Sequence, residues 1–122
     1  MTFNLETLTK SMLDGAREAV SDRWPQLRAL AEVEMRKLAQ TLIDVHQLLE
    51  AGDIDDKRAR VIVRIQQNTA RSVLCTVRGL GVLAAEQATE AAVAAVARLV
   101  NAAVKFKLLK EVKAGFKAGK DL

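Results

Sequence analysis

The 122-residue chain is expected to be all-α: a long antiparallel helical hairpin that associates with a second copy into an oligomer of four-helix-bundle type. Three observations carry this expectation. Four aromatic residues (Phe3, Trp24, Phe106, Phe116), six glycines and one proline leave little from which to build a turn-rich sandwich or barrel. Apolar residues recur at steps of three and four, and no strand-like alternation persists. Residues 79–104 are apolar around most of their circumference, and a helix of that kind has to be surrounded.

The first helix spans residues 4–51 and bends at Trp24-Pro25. Proline cannot donate its amide and disfavours a helical residue before it, so Pro25 suits a first turn, with Asp22 nearby as a candidate cap. Beyond that bend Trp24, Leu27, Ala31, Met35, Leu38, Leu42, Val45 and Leu49 form one apolar stripe. The helix ends at Ala51-Gly52-Asp53, where Gly52 suits a left-handed residue. Asp55 suits the N-cap of the second helix, and Asp53 and Asp56 place negative charge at its positive end.

The second helix carries Ile62, Ile65, Thr69, Val73, Thr76, Leu80 and Leu83 in the same rhythm. Gly79-Leu80-Gly81 decides its length. A loop there would give four helices, 4–22, 25–51, 55–78 and 82–113. Its flanks Val77, Leu80, Val82 and Leu83 offer no turn-building side chain, so the preferred reading is one continuous helix from Asp56 to beyond Leu109. The glycines then serve close approach of another helix, with the alanine run 84–103 alongside. At about 1.5 Å per residue the helix is some 80 Å long, too much apolar surface for one hairpin partner to cover. Association supplies the cover, through Gly79, Leu80, Leu83, Val93, Val96 and Val100.

Composition narrows the chemistry. One cysteine (Cys75) excludes an intrachain disulfide and a Cys-based zinc site, and is read as a buried, inert thiol. With one histidine (His46), read as a surface or interface residue, no nucleophile and orienting acid can be named, so no catalytic residue and no cofactor are assigned. Asp53-x-Asp55-Asp56 lacks the glycine and glutamate of a calcium loop, since Arg58 and Arg64 stand there. The main chemical alternative is a ferritin-like metal-binding bundle using Glu34, His46, Glu86 and Glu90. It lacks the Glu-x-x-His motif of that family. Otherwise Glu86 and Glu90 are expected to pair with arginines such as Arg28 or Arg98.

Charge distribution gives the functional lead. Residues 1–100 hold thirteen basic and thirteen acidic side chains, and residues 101–122 hold six lysines against Glu111 and Asp121. Within the neutral body, residues 57–85 carry six basic residues and no acidic one. Lys57, Arg64, Arg71 and Arg78 recur every seven positions, with Arg60 close by; as a plain solvated face the row would be partly answered across the hairpin by Glu32, Asp44 and Glu50. Residues 105–122 form a basic, partly frayed segment of the single helical domain 1–122. There Phe106, Leu109, Val112 and Phe116 run beside Lys107, Lys110, Lys113 and Lys117. These features predict a non-enzymatic helical assembly module that binds itself and presents Arg64, Arg71, Arg78 and the lysines to an acidic protein or an anionic lipid surface. A second alternative is a nucleic-acid-contacting accessory role, without aromatic platforms for single strands. Residues 1–16 lack the apolar core of a secretory leader, and no segment is long and uncharged enough to span a bilayer, so a cytoplasmic location is expected.

Overall fold

A computed structural model describes residues 3–111 of the chain. They form four α-helices packed within one chain: α1 (Leu5–Ala19), α2 (Trp24–Glu50), α3 (Asp56–Leu74) and α4 (Val82–Val104). A single 3-10 turn, Ser21–Arg23, joins α1 to α2. Helix α1 packs most extensively on α4, and α2 on α3, while α1–α2 and α3–α4 contacts complete the arrangement. No helix among the described residues is long and apolar enough to cross a membrane.

Local chemistry starts and stops these helices. Asn4 caps α1, its side-chain oxygen accepting the Thr7 amide at 2.8 Å. Pro25 lies in the first turn of α2 as its missing N–H requires, but no side chain caps that helix and Asp22 sits in the 3-10 turn instead. At the other end Gly52 (φ +77°) is the left-handed residue. Its amide reaches the Leu49 carbonyl at 3.1 Å, and the Asp53 amide reaches that of Leu48 at 2.9 Å, the paired bonds of a Schellman stop. Asp55 then caps α3 by accepting the Arg58 amide at 2.8 Å.

The continuous second helix does not form. Helix α3 stops at Leu74, and residues 75–81 turn back through Gly79 (φ +81°) and Gly81 (φ +84°). Both glycines are needed for left-handed backbone rather than for close packing, since a Cβ on either would meet nothing within 4 Å. The turn closes without Asn, Asp, Ser or Pro because Arg23 supplies the polar partner from outside. Its guanidinium donates to the carbonyl oxygens of both Gly79 and Leu80, the latter at 3.2 Å, tying the α1–α2 corner to the α3–α4 corner.

Close helix approach does occur, at a different glycine. A Cβ on Gly15 of α1 would stand 2.7 Å from the Ala91 carbonyl oxygen and 3.1 Å from the Ala95 Cβ of α4. The alanine-rich face of α4 therefore meets α1 within the same chain. The surroundings that 79–104 require are supplied there: Leu80, Val93, Val96 and Val100 are all buried in the intramolecular core, beside Leu8, Met12 and Ala16 of α1. Leu83, at 68% exposure, stands largely in solvent with its neighbour Val82, and Gly79 is exposed in the turn before them.

Helix α2 buries the expected stripe, Leu27, Ala31, Met35, Leu38, Leu42 and Val45, with Trp24 and Leu49 half-buried at its ends. Helix α3 is rotated from expectation. Its buried positions are Ala59, Val63, Ala70 and Leu74, whereas Ile65 is 61% exposed and Thr69 is exposed. Small alanines let α3 seat closely beside Val63 and Leu74, while Val61 and Ile65 lie outside the contact.

Candidate functional site

The structure concentrates unpaired positive charge on one flank of α3. Lys57, Arg60, Arg64 and Arg71 fall along one side of that helix, next to the edge that meets the chain beyond α4. Arg78 does not continue the row, because it lies in the 75–81 connection. The acidic residues expected to answer this row are used within α2 instead. Glu32 pairs with Arg28 at 3.9 Å, Asp44 accepts from Gln40 at 2.9 Å, and Glu50 lies 3.7 Å from His46. Among the described residues no carboxylate stands at ion-pair distance from any of the four α3 cations.

The chain after α4 brings further positive charge to this flank. Helix α4 ends where Lys105 adopts a left-handed conformation (φ 67°), its amide bonded to the Asn101 carbonyl at 2.8 Å. Residues 106–111 then run as a non-helical arm, so the described part of the basic segment is not the amphipathic helix its spacing suggests. Val112, Lys113, Phe116 and Lys117 lie outside the described residues.

Asn101 holds the arm down. Its Oδ1 accepts the Leu108 and Leu109 amides, both at 2.9 Å. Its Nδ2 donates to the Leu109 carbonyl at 2.9 Å and to Glu111 Oε2 at 2.8 Å. Two donors and two acceptor positions are thereby filled on one buried side chain, and Leu108 and Leu109 are buried with it. Across the contact, the Arg60 guanidinium lies 5.1 Å from the centre of the Phe106 ring, and its Nε donates to the Lys107 carbonyl at 3.3 Å.

Between α3 and the arm lies a notch of about 270 Å³. Arg60, Arg64, Gln67, Asn68 and Lys110 contribute to its walls, and Val63, Val93, Leu108 and Leu109 form apolar lining. The larger concavity, about 570 Å³ between α1 and α2 beside Trp24, carries both signs of charge. There Arg17 pairs with Asp14 at 3.4 Å and Arg28 with Glu32, so much of its charge is answered internally.

The four candidate metal ligands are not brought together. Glu34 is buried on α2 with Oε2 at 3.3 Å from Lys37 Nζ, and its Oε1 has no hydrogen-bond partner among the described residues. His46 lies near Glu50, with its ring 4.8 Å from that of Phe3. Glu86 and Glu90 stand exposed on α4 and pair with no arginine among the described residues. No His, Cys, Asp or Glu group suited to a metal ion occurs among those residues. Cys75 is partly exposed at the end of α3, not buried. The residues missed from sequence are Asn101, Gln67 and Asn68. A lone asparagine at the end of an apolar helix was the available signal, since burying it demands partners.

Comparison with known proteins finds no matching family model, no matching curated protein and no matching solved structure.

Proposed function

We propose that this chain is a non-enzymatic helical assembly module, a single domain whose α3 flank and C-terminal arm bind an acidic protein surface. The observation that carries the proposal is the unanswered charge of Lys57, Arg60, Arg64 and Arg71, extended by Lys107 and Lys110 of the arm. Cations with no carboxylate partner among the described residues raise the local concentration of anions and steer their approach. Lys113 and Lys117 add to the same handle in this reading. Self-association belongs to it as well, through Leu83 and Val82 at the exposed start of α4 and Val61 and Ile65 on the outer side of α3.

Titration with polyglutamate tests the proposal. Binding should be saturable at low salt and weaken steeply as ionic strength rises, because exposed charges are screened over about 8 Å at physiological salt. Absence of binding at low salt would overturn it. The seven-residue spacing of Lys57, Arg64 and Arg71, about 10.5 Å per step along the helix, favours nucleic acid as a second reading. Duplex DNA outcompeting polyglutamate at equal charge would select that reading, and preference for anionic vesicles would select a lipid surface.

A further inference from the structure

We infer that the notch between α3 and the arm is a binding site for a phosphomonoester, the dianionic phosphate group carried on a small apolar body. Arg60 and Arg64, four apart on α3, flank the notch with Lys110 from the arm, and the Gln67 and Asn68 amides add neutral donors. Arg64, Lys110, Gln67 and Asn68 have no side-chain hydrogen-bond partner among the described residues, so within that part of the chain their donors are open to a ligand. Arg60 is held in place by Phe106 and the Lys107 carbonyl, which leaves its terminal nitrogens available on a positioned guanidinium. No carboxylate contributes to the lining.

Charge decides between anions. Three cations at one small site over-neutralise a single carboxylate and match a dianion better, and guanidinium forks suit the paired oxygens of a phosphate. The apolar lining, Val63 and Val93 with Leu108 and Leu109, has no use for inorganic phosphate alone but accommodates an attached ring or short chain. The arm is part of the site, because Lys110 reaches it only while Asn101 keeps residues 108–109 docked.

The inference deepens the reading of this flank as an anion-binding face, and its test uses residues that separate the two. Titration of the isotopically labelled full chain by nuclear magnetic resonance with phenyl phosphate, inorganic phosphate and benzoate follows the Gln67 and Asn68 side-chain amides. Saturable one-to-one binding is expected, with phenyl phosphate at least fivefold tighter than either simpler anion. Arg64→Gln and Lys110→Gln should each weaken it at least fivefold, and Arg98→Gln should leave it unchanged. Equal affinity in Arg64→Gln and Arg98→Gln, or shifts that rise without saturating, would overturn the inference. Lys57 and Arg71 lie outside the notch, so a Lys57→Gln, Arg71→Gln double variant should lose polyglutamate binding and keep phenyl phosphate. Polyglutamate binding retained in that variant would overturn the wider face alone, and phenyl phosphate binding lost in it would overturn the notch.

Discussion

Replacing Asn101 by alanine tests the arm most sharply. The change deletes four hydrogen bonds and leaves the Leu108 and Leu109 amides and the Leu109 carbonyl without their partner. Each bond is worth about 0.5–1.5 kcal/mol net, and each orphaned buried group costs about 1–3 kcal/mol if it stays buried. Keeping the arm docked would therefore cost several kcal/mol. Undocking is cheaper, because it returns those groups to water and forfeits mainly the burial of Leu108 and Leu109, about 1.5–3 kcal/mol for each fully buried leucine. The arm should release while the four helices persist. The two leucines together forfeit about 3–6 kcal/mol, part of which the released arm recovers as chain entropy, and a net loss of about 2–3 kcal/mol lowers the melting temperature by about 8–12 °C for a domain of this size. Hydrogen exchange reads the event locally: Leu108 and Leu109 amides should lose protection while Leu38 and Val96 keep theirs. Trypsin should cut faster after Lys107 and Lys110. Unchanged protection of Leu108 and Leu109 would refute the assignment of Asn101 as the arm's anchor.

The helix contacts and turns give three further expectations. Gly15→Ala places a Cβ against the Ala91 backbone and should cost about 1–3 kcal/mol by forcing α1 away from α4, read by chemical denaturation. Gly79→Ala meets open space, so its cost of about 1 kcal/mol should come from left-handed backbone alone, with the sedimentation coefficient unchanged. Asp55→Ala removes the side-chain cap of α3 and should lower stability by about 1 kcal/mol, with Asp55→Asn recovering most of it.

How far the sequence was readable depended on which contacts were local. The α2 stripe was legible because its large apolar residues and its core positions coincide, and Gly52 and Asp55 were legible because a Schellman stop and an N-cap involve only near neighbours. On α3 the rule that large residues mark the core failed, since Ala59 and Ala70 face inward while Ile65 faces out. The Gly79–Gly81 turn was hidden because its polar partner, Arg23, lies more than fifty residues away in sequence. The same distance problem concealed Gly15, whose reason for being glycine is Ala91. Of the binding face, the charge run was visible in the sequence. Its convergence with the arm was not, because that depends on a left-handed Lys105 and the four bonds of Asn101.

The central claim is that location of charge, and not its amount, creates the binding face. Two variants of equal net charge test it against polyglutamate at low salt. One carries Lys57→Gln, Arg64→Gln and Arg71→Gln on the α3 flank, and the other carries Lys10→Gln, Arg36→Gln and Arg98→Gln on exposed positions elsewhere. The account predicts that the first loses at least tenfold in affinity and much of its salt dependence, while the second binds within about twofold of the unaltered chain. Equal weakening of both would mean a diffuse cationic surface without a face, and would contradict the account.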